Sequence, residues 1–275
     1  MQKNWQCRWA KSLGKLEATH QKTWGTTGYK SQEAPTVFFG LYGLPDFYAL
    51  WRHKGKRAIL WAGSDIIHFI KGYWLEDGGK IKIDCKPLAK WIDKYCDSYV
   101  ENEIEYKALK KVGIASRVIP SFLGDVNKFD ISYKWKERPS VYTSVSGNDF
   151  KVYGWDKVIE LAKKNPEIDF FLYGNTIPFN GYHENVIVRG RLPKAKMNRE
   201  IKDMQGALRM TEFDGASEII VKAMLMGQWP VSLIKYPHTL RPEEMGKLLK
   251  LKKPNVIGRN SYIKKLNKFP WQMKR

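Results

Sequence analysis

Cysteine is scarce. Cys7, Cys85 and Cys96 are the only three in 275 residues, an odd number with no C-x-x-C spacing, which argues against a disulfide framework or a zinc knuckle and for a reducing compartment. No apolar run approaches the roughly 18 residues that span a bilayer, and the opening stretch MQKNWQCRWAKSLGK has no apolar signal core. The expectation is a cytoplasmic protein, at most peripheral at a membrane surface. The chain has no G-x-x-x-x-G-K-[ST] loop, no G-x-G-x-x-G after a strand, no H-E-x-x-H and no G-x-S-x-G. Nor is there a D-x-D pair to hold a divalent metal. Acidic residues are also short in supply, 28 against 48 lysines and arginines, for a formal net charge of +20. Such a field draws polyanions, anionic membranes or phosphorylated small molecules, and charge alone does not choose among them.

Apolar residues make up 43% of the chain and aromatics 13%, with eleven tryptophans, ample apolar area to offset the entropy of folding. Residues 1 to 34 show no sustained period and are expected to be an irregular or partly helical lead-in. From Pro35 the pattern alternates. TVFFGLY (36 to 42), RAILWAG (57 to 63), DSYVE and SRVIPS read as strands, with helices over 44 to 54, PLAKWIDKYC and IEYKALKKVG. The stretch 122 to 140 loses the period. Alternation resumes with VYTSVS, WDKVIELAKKN, DFFLYG, NVIVRG, KMNREIKDM, ALRMT, a helix after Gly215, and PVSLI. The expected α/β architecture is therefore two Rossmann-like domains, at 1–125 and 140–275, joined by a linker at 126–139. Their parallel sheets would face a central cleft, with ligands at the carboxyl ends of the strands. The tail beyond Tyr236 is strongly basic and reads as two helices, EEMGKLLKLK and SYIKKLNKF.

The most informative segment is RMTEFDGASEIIVKAMLMGQWPVS, residues 209 to 232. A strand ends at Thr211, Asp214 and Gly215 follow, Ala216 and Ser217 open a helix, and Gly227 closes it before Pro230. Small residues at a helix N-terminus let backbone N–H groups approach an anion such as a diphosphate. The segment resembles the donor-binding motif of family-four and related GT-B glycosyltransferases, an acid and a glycine, then a second acid in an E-A-x-x-x-G-x-P-V context. The resemblance implies that Asp214 lies near the transferred sugar. It also implies that Gly215, Ala216 and Ser217 receive the donor, a nucleotide-diphosphate sugar, with no separate cofactor. Lys222 stands where the family carries the second Glu, which holds the ribose. A lysine cannot accept hydrogen bonds from ribose hydroxyls, but it can meet phosphate or pair with Glu218 one turn earlier.

The resemblance covers most of the chain after Pro35. Residues 144 to 175 are similar to the family's first C-domain unit, which makes Lys151, ahead of Gly154, the expected contact of the diphosphate, with Gly147 in the same loop. FLYGNT and VIVRGRLP resemble the next strand ends, so Gly174 and Arg191 are expected at the nucleotide. VIPSFLGDVNKF resembles the start of the family's interdomain linker. In the first half FFGLYGLPDFYALWRHKGKRAILWAGSDI resembles acceptor-domain segments, which points to Gly40, Gly43, Asp65 and His68 on the acceptor side; Asp65 reads equally as a helix N-cap. The glycine-rich first strand of the family is missing from residues 1 to 34, so the acceptor domain is expected to be abbreviated. The family implies sugar transfer with retention and without metal. The acceptor stays open among a lipid-linked molecule, a glycan and modified DNA. A basic nucleic-acid-binding protein, with Tyr133, Trp135 and Trp271 among its aromatics, and a GT-B chain that binds without turnover are the rival readings.

Overall fold

The β-branched and aromatic runs do become parallel strands, described by the computed structural model over residues 5–76, 79–145, 150–174 and 182–272. The chain divides into two compact units. The first comprises Met1–Asp125, Phe213–Ala216 and Lys265–Arg275, the second Val126–Glu212 and Ser217–Lys264. No described helix is long and apolar enough to cross a membrane.

In chain order the first unit holds β1 (Gln6–Trp9), α1 (Glu17–Trp24), β2 (Thr27–Gly28), β3 (Thr36–Phe39), α2 (Leu44–Arg52), β4 (Arg57–Leu60) and α3 (Ser64–Ile70). The antiparallel hairpin β5 (Tyr73–Glu76) and β6 (Gly79–Lys82) follows, then α4 (Cys85–Tyr95), β7 (Asp97–Val100), α5 (Glu103–Lys111) and β8 (Ser116–Val118). Six strands pair in parallel in the order β2-β1-β3-β4-β7-β8. The two-residue period of a strand splits the core. Phe38 and Ile59 join Trp61, Phe69 and Trp74 on one face, while Val37, Phe39, Ala58 and Leu60 join Trp9, Trp24 and Tyr99 on the other.

Strand β1 corrects the expectation of a lead-in without a first strand. Gln6 to Trp9 run beside Thr36 to Phe39, residue for residue. Polar side chains hid it. The Gln6 carboxamide oxygen accepts from Lys30 N at 2.5 Å and Ser31 N at 3.0 Å, and Arg8 Nη1 lies 2.7 Å from Asp46 Oδ1. Both polar groups are satisfied inside the fold, so they do not interrupt the strand. The hairpin was likewise not anticipated, and α3 only through the reading of Asp65 as an N-cap, a place that Gly63 takes.

In the second unit the order is β9 (Ser140–Ser144), α6 (Trp155–Lys164), β10 (Asp169–Tyr173), β11 (Val186–Gly190), α7 (Lys194–Glu200), β12 (Gly206–Arg209), α8 (Glu218–Leu225), β13 (Val231–Ser232) and α9 (Val256–Lys265). The five strands form a parallel sheet, β11-β10-β9-β12-β13, over a core that includes Val141, Trp155, Phe170, Leu172 and Leu208. Buried Gln205 accepts from Ser140 N at 2.7 Å and donates to Lys134 O at 2.5 Å. Residues 126–139 count with this unit, where Tyr133 donates its hydroxyl to Leu251 O at 2.5 Å.

The basic tail departs from the two expected α-helices. Pro242–Leu249 is a 3-10 helix, opened by a capping box in which Glu244 accepts from Arg241 N at 2.9 Å. The second helix, α9, begins at Val256 and ends at Lys265. The last residues return to the first unit: Phe269 stacks on Trp271 with ring centroids 4.5 Å apart, and Trp271 meets Tyr99 edge-on at 5.1 Å. Replacing Trp271 by Ala in this cluster is expected to cost about 3–5 kcal/mol. Urea unfolding followed by circular dichroism checks it through a lowered midpoint; a shift below about 1 kcal/mol would mean that the segment adds nothing to the fold.

Candidate functional site

In an open parallel sheet a ligand binds beyond the carboxyl ends of the strands, where the strand order reverses. In the second unit that point lies beside β9, because β10 and β11 extend the sheet one way and β12 and β13 the other. A cavity of about 650 Å³ opens there. It is lined by Ser144 at the end of β9, by Arg191, Leu192, Pro193 and Lys194 after β11, by Met197 on α7, and by Glu218, Ile219 and Lys222 on α8. Three of these are cations and one is an acid.

Helix α8 is buried along Ile219 to Leu225, which carries Lys222 out of solvent. A buried ammonium needs a carboxylate. Lys222 Nζ lies 2.9 Å from Glu218 Oε1, one turn earlier, and donates to Asn198 Oδ1 at 3.2 Å. Lys194 Nζ stands 3.2 Å from the same Glu218 oxygen. Burial by itself would raise the Glu218 carboxyl, but the two lysines outweigh it and hold the group below the usual carboxylate range. An ionised carboxylate thus sits on the cavity wall. Sequence reasoning treated Glu218 only as a partner for Lys222 and passed over Lys194; the glutamate four residues before the odd lysine was the available signal.

The other expected donor residues fall differently. Arg191 lines the cavity and is exposed. Lys151 is exposed on the turn before α6, where its carbonyl accepts from Gly154 N at 3.0 Å, and it does not line the cavity. Gly154 has φ +70°, and a side chain there would strike the Met210 carbonyl. Gly174 has φ +119° and would strike the Val145 carbonyl. Its close approach is to the Val145 backbone. Gly147 lies outside the described residues.

The turn before α8 is also corrected. Gly215 N donates to Asp214 Oδ1 at 3.0 Å and Ala216 N to Glu101 Oε2 at 2.7 Å, so two N–H groups expected to receive a diphosphate are engaged by carboxylates. Asn102 Nδ2 donates to the Asp214 carbonyl at 2.6 Å. A Cβ on Gly215 would collide with the Glu101 carboxylate, so only glycine admits this approach. Asp214 is half-buried, and Ser217 is the buried N-cap of α8 without a side-chain cap bond.

Glu101 lies just beyond β7 and Glu105 in the first turn of α5, both buried. Ser121 Oγ donates to Glu101 Oε1, and Glu101 N donates to Glu105 Oε2 at 2.7 Å. Burial drives both carboxyls upward. Glu101 is pushed up to about 7, with the Ser121 and Ala216 hydrogen bonds opposing and the Asp214 charge adding. Glu105 stands well above the ordinary value, raised also by Glu101, Asp65 and Asp214.

Of the acceptor-side residues, Asp65 is a structural staple, a correction to its expected acceptor role. It is fully buried, and its carboxylate accepts from Leu41 N at 2.9 Å, Ala62 N at 3.0 Å and Ile66 N at 2.9 Å. It lies in the first turn of α3, whose N-cap is Gly63. Burial lifts its carboxyl to about 6 against those bonds. His68 lies between Tyr42 and Tyr73, with ring centroids at 6.0 and 5.0 Å; burial, then Lys80 and Lys71, hold its imidazole below the usual range. Gly40 has φ +80°. Gly43 is the N-cap of α2, where a Cβ would meet the Leu75 carbonyl at 2.6 Å.

The carboxyl pair carries a pH signature. The folded state holds protons that the unfolded chain releases near 4.5, so the pair's stabilisation is full below that pH and falls as pH rises, that of Glu101 through about 7. Wild-type protein is expected to lose more thermal stability than Glu105→Gln between about pH 5 and about pH 8. Scanning calorimetry of both checks it; parallel curves would remove the pair as the source.

No family model and no curated protein matches the chain. Solved structures do. The crystal structure of TarM superposes with TM-score 0.58 at 13% identity, covering 84% of this chain and 51% of that one. The lipopolysaccharide outer core galactosyltransferase WaaB gives 0.58 at 10%, covering 98% and 96%. Anabaena HepE in complex with UDP and glucose gives 0.52 at 10%, covering 92% and 77%. The chain spans about half the length of TarM. These likenesses establish the fold, which is the GT-B fold expected from the sequence, with a parallel α/β sheet in each unit.

Proposed function

We propose that this GT-B chain is a glycosyltransferase that takes its sugar from a nucleoside-diphosphate donor held in the cavity of the second unit. The observation that carries the reading is that cavity's position and chemistry: the reversal point of a parallel sheet, with Arg191, Lys194 and Lys222 on its wall and the ionised Glu218 among them. Proteins of similar fold agree with it, one a lipopolysaccharide outer core galactosyltransferase and another seen in complex with UDP and glucose.

During transfer the bond between the anomeric carbon and the diphosphate oxygen breaks as an acceptor hydroxyl oxygen bonds to that carbon and passes its proton to the leaving diphosphate, on which negative charge collects as the bond opens. Cations placed beforehand stabilise that charge. Arg191 and Lys194 take this role in our reading, in place of Lys151, and the first turn of α8 adds its dipole. Glu218 accepts hydrogen bonds from the ribose hydroxyls. Lys222 is a positioning residue, holding that carboxylate at 2.9 Å. Asp214 remains the candidate to meet the transferred sugar, and retention with metal independence is carried over from the family resemblance.

Titration calorimetry with UDP, GDP and ADP tests the donor pocket. At least one diphosphate is expected to bind wild-type protein, with Glu218→Gln weakening it about tenfold or more, the cost of a charged hydrogen bond. Lys222→Met is expected to weaken it in the same direction while the fold persists. Absence of binding by all three nucleotides would overturn the reading. A second reading, donor binding without turnover, is favoured by the engagement of Ala216 N with Glu101; it is distinguished by wild-type protein that binds a nucleotide yet hydrolyses none of a panel of UDP-, GDP- and ADP-sugars.

A further inference from the structure

The first unit carries an aromatic strip that no partner among the described residues covers. On α2, Tyr48 is 48% exposed and Trp51 53%; Tyr95 at the end of α4 is 46% exposed and Leu75 on β5 40%. These belong to one surface. Phe47 and Trp51 are one helical turn apart on α2, as are Trp91 and Tyr95 on α4, and Phe47 meets Trp91 edge-on with ring centroids 5.6 Å apart. Trp91 and Tyr95 are themselves 5.5 Å apart. Leu75 lies beside the start of α2, where its carbonyl packs on Gly43.

Cations outnumber acids around the strip, where Glu76 on β5 is exposed beside Leu75. Lys86, Lys90 and Lys94 recur every fourth residue on α4, all exposed, and Lys94 lies over the Tyr95 ring at 5.0 Å. Arg52 lies over Tyr48 at 5.9 Å. Of the acids on these two helices, Asp46 is paired with Arg8, while the N-cap Asp84 accepts from Lys86 N and Asp93 from Ala115 N at 2.7 Å. Exposed tryptophan and tyrosine mixed with lysine and arginine is the composition of a surface that enters the headgroup region of a bilayer. The rings seat at the boundary, and the cations meet anionic lipid.

We infer that the face formed by α2, α4 and β5 docks the protein on an anionic lipid surface, with Trp51 and Tyr95 as the inserted rings and Arg52, Lys86, Lys90 and Lys94 as the headgroup contacts. The inference is independent of the donor pocket, which belongs to the other unit, and its readout needs neither donor nor acceptor.

Flotation of the full chain with vesicles tests it. Wild-type protein is expected to rise with phosphatidylcholine vesicles containing about a third phosphatidylglycerol, and to stay behind with pure phosphatidylcholine, because anionic lipid supplies the attraction. The double substitution Trp51→Ala with Tyr95→Ala is expected to lower the partition at least tenfold, as is Lys90→Glu with Lys94→Glu. Ile257→Ala, on the exposed surface of the second unit, is expected to leave flotation unchanged, and circular dichroism confirms that every variant is folded. Equal flotation of wild type and the aromatic double variant would overturn the proposal, since binding would then follow net charge alone. So would wild-type binding to neutral vesicles as strong as to anionic ones. Sedimentation showing a dimer that the same aromatic pair abolishes would assign the face to a second copy of the chain and overturn it equally. Competition by duplex DNA that protects this face would assign it to nucleic acid, with the same result.

Discussion

Parallel pairing of every strand in the two large sheets is the constraint from which the rest follows. Parallel neighbours need a crossover between them, so the strands end at one edge, and β3, β4, β7, β9, β11 and β12 each hand the chain to a helix there. That edge collects the loops, the helix N-termini and whatever chemistry the loops carry. The two units fill it oppositely. In the first, buried carboxyls crowd beyond β4 and β7, where Asp65, Glu101 and Glu105 serve the backbone as acceptors. In the second, cations surround a cavity and keep a single acid ionised.

The difference shows why a carboxyl on such an edge is not by itself a site. Asp65 has three amide donors on its oxygens and no solvent contact, so its work is to hold the turn after β4. Glu218 has the opposite surroundings, with two ammonium groups and an open cavity. The same reasoning separates Gly174 from Gly215. The first lets two backbones meet, and the second lets a carboxylate in.

Much of the architecture was legible in the chain. Hydrophobic runs such as VFF and AIL announce strands because buried parallel strands are apolar on both faces, and both fall where expected. Strand β1 was not legible because Gln6 and Arg8 are polar, and their partners Lys30, Ser31 and Asp46 are known only from the fold. The departure at Lys222 was visible, and so was its possible partner Glu218. What the chain could not disclose was that Lys194, 24 residues before Glu218, closes on the same oxygen. Nor could it disclose that Glu101, far upstream, would occupy the amide of Ala216. Long-range electrostatic partners leave no local period to read.

One consequence of the chain's path remains. The first unit is assembled from three stretches, and its aromatic cluster takes Trp9, Trp24 and Tyr99 from the stretch Met1–Asp125 and Phe269 and Trp271 from the stretch Lys265–Arg275. Synthesis delivers Phe269 and Trp271 only after Val126–Glu212 and Ser217–Lys264 have been made, although domains ordinarily fold as they emerge. Trp24 meets Phe269 and Trp271 with ring centroids 5.6 and 6.0 Å apart, so the lobe begun first is closed by residues made after the second one.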